Sequence, residues 1–324
     1  MKNNTFEEIA KVIEKRKKIL IYPHINMDGD ALGSAVALCK AIRTMGKECH
    51  ILIEDDVPGN LAFLDRGYTT FDQDIIRRPD LSICVDCGDA GRFPKRKAKF
   101  DSAKETICID HHATTAHYCD YNYIDSSSAA TGELIYDLLC TMGITIDQEI
   151  GEAVFAAITT DTGNFQYSNT SKKSHQIMAQ LYDAGIDANR VSIELYENQR
   201  IEKILIKNKV LSTLSLICEG KGAICYMTED MLAETGASSD ETDGVVQELR
   251  SINSVEIAAF LKEIPGGKVK ASLRSKRYAD VAEIAAAFGG GGHIRAAGCT
   301  FTCTLGEAFD AIKEKMTDSL EKHD

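Results

Sequence analysis

Short apolar runs alternate with longer amphipathic segments through the first half of the chain. The runs are residues 18–22, 50–53, 81–85 and 106–109, and helical patterns of apolar residues lie between and after them. Isoleucine, leucine and valine in runs of this length favour buried strands, and helices between successive strands favour parallel pairing. The sequence therefore predicts an α/β fold whose N-terminal domain is a parallel, doubly wound sheet.

The pattern changes after residue 190. A charged segment over about 191–209 predicts a connecting helix, and two pairs of apolar strands follow, at 211–227 and 255–274, each joined by a glycine-containing turn. Such turns between alternating apolar strands are typical of antiparallel pairing. We therefore expect three parts: a domain over residues 1–190, a linker helix over 191–207, and a smaller α+β domain with a mixed or antiparallel sheet over 208–324.

The charge balance limits the partners of the chain. It has 49 acidic and 37 basic residues, which gives a net charge of −12. Binding to long duplex nucleic acid relies on many basic residues, so this class of partner is disfavoured, whereas a metal ion and one or two cationic side chains suffice for a short phosphorylated molecule. The apolar runs are shorter than the ~20 residues of a membrane span. The N-terminus has no signal-peptide core, so we expect a cytoplasmic protein with no membrane partner.

Eleven cysteines raise the question of disulfides or zinc. Cys84 and Cys87 have Cys-x-x-Cys spacing, but no second pair accompanies them to complete a zinc site. Most of the others, such as Cys39, Cys108 and Cys225, lie inside apolar runs, as small buried side chains do. We interpret the cysteines as free thiols of a reducing compartment.

Acidic and histidine side chains follow the predicted strands, and one more acidic residue ends a predicted buried helix. They are His24, Asp28, Asp30, Asp86, Asp110, His111, His112 and Asp161. Because the carboxyl ends of parallel strands meet at one edge of a sheet, we expect most of these side chains to lie together. Burying so many carboxylates is costly unless cations neutralise them, and oxygen ligands mixed with imidazole favour Mn²⁺. The set is large enough for two ions, which suits the activation of water for in-line attack on phosphorus.

Each motif also has a structural interpretation when it is taken alone. Asp28-Gly-Asp30 fits a turn followed by a helix N-cap, and Asp161-Thr-Gly163 fits the turn after a helix. Asp86 fits ordinary loop polarity. The recurrence of one ligand chemistry at four separate points of the chain favours the metal centre over these separate explanations.

A run of four glycines, residues 289–292, lies near the C-terminus and precedes His293. Such a run is entropically costly, so we expect a phosphate or nucleotide to contact the bare backbone there. A flexible loop is the alternative, although the flanking residues are not typical of a linker. Arg274, at the end of a predicted strand, is either a phosphate-binding guanidinium or a surface charge.

Together these motifs resemble the DHH phosphoesterase superfamily over nearly the whole chain. The first-domain motifs are His24-x-x-x-Asp28-x-Asp30, Asp86, Asp110-His111-His112 and Asp161-Thr-Gly163. The motifs Ser-Leu-Arg274-Ser and Gly-Gly-Gly-Gly-His293 resemble the associated domain of the nanoRNase and pAp-phosphatase branch. One departure is visible: the superfamily often has x-x-Asn after the two histidines, whereas this chain has Ala113-Thr114-Thr115, which puts a local hydrogen bond in question.

The resemblance implies a role for each motif residue. One Mn²⁺ is expected on His24, Asp28 and Asp86, and a second on Asp30, Asp86, His111 and Asp161, with Mg²⁺ or Co²⁺ as substitutes. His112 is expected to contact the scissile phosphate, and Asp110 to orient the imidazoles. Substrate binding from the second domain, across a cleft between the domains, is expected from Arg274, Gly290, Gly291, Gly292 and His293.

The resemblance also implies the reaction: hydrolysis of short oligoribonucleotides, down to dinucleotides, and removal of the 3′-phosphate of pAp to give AMP. A phosphodiesterase for cyclic di-AMP or its linear product is a close alternative. A type II inorganic pyrophosphatase shares the first-domain ligands but carries a different second domain. A nucleotide sensor without turnover is the alternative from another class. The resemblance makes a homodimer plausible.

Overall fold

A six-stranded sheet forms the centre of the first of two compact units. The computed structural model describes residues 3–322, and the chain divides into the two units after Asn198. The strands of the first unit are β1 (Lys18–Tyr22), β2 (Glu48–Leu52), β3 (Thr69–Thr70), β4 (Leu81–Val85), β5 (Glu105–Asp110) and β6 (Tyr121–Ile124). Their order is β3-β2-β1-β4-β5-β6, and every pairing is parallel. The predicted α/β fold with a parallel sheet is confirmed.

Helices cover the sheet because its central strands are apolar on both faces. They are α1 (Phe6–Lys15), α2 (Gly29–Thr44), α3 (Lys97–Phe100), α4 (Thr131–Thr141), α5 (Gln148–Asp161), α6 (Lys172–Asp183) and α7 (Ala188–Ser192). Ile19 and Ile21 belong to the core that also contains the buried residues of α2, α4 and α5, whereas Leu20 and Tyr22 pack on the opposite face, in a core that includes Phe93. Alternate side chains of a strand point to opposite faces, so one continuous apolar run fills both cores.

The strand order locates a crevice at one edge of this sheet. The chain leaves β1 toward β2 on one side and returns to β4 on the other side of β1. The loops after β1 and β4 therefore diverge at the carboxyl ends of these strands, which is where open α/β sheets bind their ligands. Two strands were not predicted from the sequence. β3 has only two residues, and β6 is Tyr-Asn-Tyr-Ile, which lacks a β-branched apolar run.

The second unit is a six-stranded mixed sheet with helices. Its strands are β7 (Ser215–Ile217), β8 (Gly222–Met227), β9 (Ile257–Ile264), β10 (Lys268–Ser275), β11 (Gly291–His293) and β12 (Ala296–Phe301), in the order β11-β12-β10-β9-β8-β7. The helices are α8 (Ile201–Leu211), α9 (Glu229–Thr235), α10 (Val245–Ser251), α11 (Val281–Ala286) and α12 (Leu305–Glu321). All pairings are antiparallel except that of β8 with β9. The predicted mixed sheet is confirmed.

One local prediction differs from the structure, and so does one alternative interpretation. Residues 191–207 do not form one continuous helix: a π-helical turn ends at Glu197, and Arg200 has extended backbone before α8 begins. A continuous helix would place its apolar face near positions 198 and 199, which hold asparagine and glutamine, so burial does not stabilise it there. The glycine run is not a loop throughout, because Gly291–His293 forms strand β11. Among residues 3–322, no helix is both long and apolar enough to span a membrane.

Candidate metal centre

The loop after β1 and the first turn of α2 carry three predicted ligands. His24 follows β1 directly after Pro23, and Asp28 is the N-cap of α2. Oδ1 of Asp28 accepts hydrogen bonds from the backbone N–H groups of Asp30 and Ala31. The N-cap interpretation of Asp28 therefore holds, and it does not compete with metal binding, because Oδ2 is the oxygen that faces His24.

Asp86 lies where β4 ends, beside β5. Its backbone is left-handed, with φ of 54°, and its N–H donates to the carbonyl of Ile109 at 3.0 Å. Residues other than glycine adopt this conformation infrequently, aspartate more often than most, and such residues are enriched at functional sites. The turn places the buried carboxylate between two histidines: Oδ2 lies 3.5 Å from Nε2 of His24, and Oδ1 lies 3.6 Å from Nε2 of His111.

His24, Asp28 and Asp86 form the first group of metal-ligand type. Nε2 of His24 lies 3.8 Å from Oδ2 of Asp28 and 3.5 Å from Oδ2 of Asp86. On the other side of the ring, Nδ1 donates to the carbonyl of Ile25 at 2.7 Å. That hydrogen bond fixes the tautomer in which Nε2 carries the lone pair, which is how metal-binding histidines are held.

Asp30, His111 and Asp161 form the second group. Nε2 of His111 lies 3.7 Å from Oδ2 of Asp30, 3.6 Å from Oδ1 of Asp86 and 3.5 Å from Oδ2 of Asp161. Nδ1 of His111 donates to the carbonyl of Ser128 at 3.2 Å, so Nε2 again carries the lone pair. This atom is buried and has no hydrogen-bond partner within residues 3–322.

These contacts fit divalent metal ions. Distances of 3.5–3.8 Å are too long for hydrogen bonds, yet they suit atoms that share an ion, since two ligands each about 2.1 Å from a metal lie about 3 Å or more apart. A buried imidazole nitrogen without a partner is costly unless something binds it. The residues present therefore fit divalent cations, and Asp86 links the two groups, because it belongs to the first and its Oδ1 lies 3.6 Å from Nε2 of His111 in the second.

The carboxylates of the two groups crowd one another. Burial and the negative charges of Asp86 and Asp161 raise the pKa of Asp30 well above its usual range. Burial also raises the pKa of Asp161 to about 6, although His111 opposes this effect. Burial raises the pKa of Asp86, but the nearby imidazoles of His24, His112 and His111 outweigh this effect, and the pKa is lowered. Such crowding destabilises an ionised cluster unless cations offset it.

His112 differs from the other two histidines, because its side chain is half exposed. Its Nδ1 donates to Oδ1 of Asp110 at 2.8 Å, and the hydrogen bond to this carboxylate raises the pKa of His112 to about 9.

A threonine takes the place of the asparagine that often follows the two histidines, and it keeps a hydrogen bond there. Thr115 stands at that position, and its Oγ1 donates to Oδ2 of Asp110 at 2.8 Å. His112 and Thr115 therefore each donate a hydrogen bond to a different carboxylate oxygen of Asp110.

Three residues that no sequence motif indicated hold the ligands from behind. Thr131, the first residue of α4, donates its hydroxyl to Oδ1 of Asp86 at 3.0 Å and its N–H to Oδ2 of Asp30 at 2.7 Å. The N–H of Gly132 and the hydroxyl of Ser34 donate to Oδ1 of Asp30 at 2.8 and 3.1 Å. A threonine at a helix start suggests only a cap, so the sequence held no signal for this role.

The predicted substrate-binding residues of the second unit lie on one part of its sheet. Arg274 of β10 and His293 of β11 both pair with Ala296 of β12, so the three form one row across the sheet. Side chains in such a row point to the same face of the sheet. Because β12 lies between β10 and β11, these two strands are about 10 Å apart. The row places Arg274 and His293 on the same face, on either side of a small alanine.

The glycines of the run have a structural explanation that the sequence did not suggest. A Cβ on Gly290 would overlap the carbonyl oxygen of Gly298, and one on Gly292 would overlap the backbone of β12. Gly291, by contrast, has open space at its Cβ position. Close packing of β11 on β12 therefore accounts for two of the glycines without any ligand, and ligand contact through this run stays a prediction.

Both units match known families. Residues 18–158 match the DHH family, N-terminal domain, and residues 219–322 match the DHHA1 domain, so the two matches span about three quarters of the chain. With the ligand groups described above, this places the protein in the class of metal-dependent phosphoesterases. The first unit contains a DHH family N-terminal domain, and the second unit contains a DHHA1 domain.

Relatives of similar length extend the likeness to both units. A protein of Thermus thermophilus named bifunctional oligoribonuclease and PAP phosphatase is 29% identical over 97% of this chain and 93% of its own length. A Bacillus subtilis protein of the same name is 23% identical over 90% of this chain and 92% of its own. The crystal structure of an exopolyphosphatase-related protein from Bacteroides fragilis covers 97% of this chain, and this chain covers 95% of it, with a TM-score of 0.88 and 25% identity.

Proposed function

We propose that the protein is a Mn²⁺-dependent phosphoesterase that uses two ions to hydrolyse short oligoribonucleotides to mononucleotides and to convert pAp to AMP. The observation that carries this proposal is the position of Asp86, whose two carboxylate oxygens face two different histidines and thereby join two ligand groups. A carboxylate shared in this way is typical of two-metal sites that cleave phosphate esters.

The two groups support a proposed set of ligands for each ion. One ion would be held by His24, Asp28 and Asp86, and the other by Asp30, Asp86, His111 and Asp161. Carboxylate oxygens with imidazole nitrogens suit Mn²⁺, with Mg²⁺ or Co²⁺ as substitutes. Such a pair of ions supplies charge neutralisation at the phosphate and makes water a better nucleophile.

The remaining residues would position the phosphate. His112 is held through Nδ1 by Asp110, so Nε2 is the ring atom free to contact a substrate, and its half-exposed side chain is accessible to one. We propose that His112 binds the scissile phosphate and stabilises the charge that develops on it. Asp110 would act through His112, as a positioning residue.

Three arguments support a short nucleotide substrate. The relatives from Thermus and Bacillus are named for oligoribonuclease and PAP phosphatase activity. Arg274 and His293 lie in one row of the second unit and could bind a phosphate of such a substrate, together with the backbone of Gly290, Gly291 and Gly292. The net charge of −12 disfavours a long strand. A homodimer and a cytoplasmic location remain predictions from the sequence.

The test is turnover of four substrates at equal concentration with Mn²⁺: pAp, a 5′-phosphorylated RNA dinucleotide, cyclic di-AMP and pyrophosphate. Fast release of AMP from pAp and of mononucleotides from the dinucleotide is expected. Faster turnover of cyclic di-AMP than of the other substrates would make cyclic di-AMP the proposed substrate, with the same catalytic residues. Binding of the nucleotides without any product would contradict enzymatic function and favour a sensor.

Substitutions test the assigned chemistry separately. Asp86→Asn should lower kcat/KM about 10²-fold or more and leave fewer than two ions bound per chain. His112→Ala should lower kcat about 10²-fold with the bound metal unchanged. Asp183→Asn is the matched control, because Asp183 is exposed on α6. Full activity of Asp86→Asn on every substrate would overturn the two-metal mechanism.

A further inference from the structure

A group of thiols lies on the face of the first sheet opposite α2 and α5. Cys84 of β4 and Cys108 of β5 are paired in register, and both belong to the core that contains Tyr22 and Phe93. Cys119 lies in the segment between β5 and β6 and packs against this core. Its Sγ is 3.9 Å from Sγ of Cys84. A disulfide has an S–S distance of about 2.05 Å, so closing this pair needs a movement of only about 2 Å.

The two thiols differ in exposure and in acidity. Cys84 is fully buried, whereas Cys119 is partly exposed, so an oxidant reaches Cys119 first. Hydrogen bonds with the thiols of Cys108 and Cys84 lower the pKa of Cys119 to about 5 in spite of its burial. A partly exposed thiolate next to a second thiol is the arrangement found in redox-sensitive cysteine pairs.

The same segment contacts residues on both sides of Asp86, the backbone of Cys87 and the side chain of Cys84. The hydroxyl of Tyr118 donates to the carbonyl of Cys87 at 2.8 Å and lies 3.0 Å from Sγ of Cys84. Between these two contacts, Asp86 is held in its left-handed conformation. A movement of Cys119 toward Cys84 therefore shifts Tyr118 and strains the turn that places Asp86.

We propose that Cys119 and Cys84 form a reversible disulfide on exposure to a hydroperoxide, and that this bond weakens metal binding at the Asp86 centre. In the first step the Cys119 thiolate attacks the terminal oxygen of hydrogen peroxide, which gives a sulfenic acid and hydroxide. In the second step the Cys84 thiol attacks the Cys119 sulfur and releases water. The two thiols are oxidised by two electrons in total, and the peroxide is reduced. A transient bond of this kind is compatible with a reducing compartment.

The test compares the full-length chain before and after treatment with hydrogen peroxide. Cleavage by chymotrypsin after Tyr118 and Tyr121 separates Cys119 from Cys108, so mass spectrometry of non-reduced peptides identifies the linked pair. Titration calorimetry with Mn²⁺ then measures metal affinity independently of turnover. Cys119→Ser removes the attacking thiol, and Cys140→Ser is the matched control, because Cys140 is an exposed thiol at the end of α4.

We expect a Cys84–Cys119 peptide in the wild type and in Cys140→Ser, with Mn²⁺ affinity about tenfold lower and restored by dithiothreitol. Cys119→Ser should show neither the link nor the loss of affinity. A link of Cys108 to Cys119 or to Cys84, or oxidation of Cys119 to the sulfinic acid with no link, would overturn the assigned pair. A Cys84–Cys119 bond that leaves Mn²⁺ affinity unchanged would overturn the coupling to Asp86. The peptide map of the wild type decides the pairing even if Cys119→Ser folds poorly.

Discussion

The hydroxyl of Thr131 donates a hydrogen bond to Oδ1 of Asp86 at a distance of 3.0 Å. The backbone N–H of the same residue donates to Oδ2 of Asp30 at 2.7 Å, so one buried threonine holds a carboxylate of each ligand group. Thr131 begins α4, whose N-terminal N–H groups favour a negative charge at Asp30. The start of this helix therefore orients the centre from the side away from solvent.

Replacement of Thr131 by valine should weaken metal binding. Valine keeps the shape and the backbone N–H but removes the hydroxyl, so Oδ1 of Asp86 loses the donor that orients it. Such supporting contacts typically contribute 10–100-fold in metal affinity, and we expect a loss of about tenfold for Mn²⁺ in titration calorimetry. Thr131→Ser keeps a hydroxyl and should bind Mn²⁺ like the wild type. Equal weakening in both variants would assign the effect to packing instead.

Thr115 should be replaceable by asparagine but not by valine. Its hydroxyl donates to Oδ2 of Asp110, and valine would leave that buried carboxylate oxygen without this donor, at a cost of about 1–3 kcal/mol. We expect Thr115→Val to unfold at lower urea concentration, as followed by circular dichroism, and to have a lower kcat because Asp110 orients His112. Thr115→Asn places there the amide that is usual in the superfamily and should recover most of both losses. Wild-type stability and kcat in Thr115→Val would show that the hydrogen bond is not needed.

Gly33 allows α2 and α5 to approach each other closely. A Cβ at this position would overlap the carbonyl oxygen of Ala153 and lie 3.0 Å from the backbone nitrogen of Ala157. Gly33→Ala should therefore destabilise the protein by about 1–3 kcal/mol, measured by urea unfolding. It should also lower Mn²⁺ affinity, because Asp28 is the N-cap of α2 and α5 ends at Asp161. Gly59→Ala is the control, since open space surrounds its Cβ position, and a similar loss there would refute the packing argument.

Local sequence signals predicted the first sheet and the ligand edge because both depend on short, regular patterns. The strands β1 and β4 match the predicted bounds, since continuous apolar runs end at Pro23 and at Asp86. The grouping of the ligands was predicted from the rule that the carboxyl ends of parallel strands lie at one edge of the sheet. The structure brings Asp86 and His111 together at that edge. Their roles as metal ligands stay predictions until metal content is measured.

The sequence did not indicate features that depend on contacts between distant residues. Thr131 contacts Asp86, which lies 45 residues earlier in the sequence. Gly290 approaches Gly298 only because β11 pairs with β12. Neither contact leaves a local pattern, because a threonine at a helix start and a glycine run have commoner explanations. The prediction of a continuous linker helix was wrong for a related reason. The charged composition suggested a helix, but positions 198 and 199 carry no apolar side chains that could stabilise it by burial.

Glu256 makes the second unit sensitive to acid. Its Oε1 accepts hydrogen bonds from the backbone N–H groups of Arg277, Tyr278 and Ala279 at 2.7–3.0 Å. Burial alone would raise the pKa of Glu256, but these hydrogen bonds outweigh it, and the pKa lies below its ordinary value of 4.5. A carboxyl whose pKa is lowered by folding stabilises the folded state above pH 4.5, and this contribution is lost as the pH falls through the folded-state pKa.

Glu256→Gln should therefore be less stable than the wild type by about 1–3 kcal/mol at pH 7, because the charge that strengthens three hydrogen bonds is gone. The difference should shrink as the pH falls below 4.5, where the wild type also loses that charge. Urea unfolding followed by circular dichroism between pH 7 and pH 3 measures both effects. Glu283→Gln, an exposed position on α11, should change stability by less than about 0.5 kcal/mol. A difference between wild type and Glu256→Gln that stays constant over this range would show that shape, and not charge, is what Glu256 contributes.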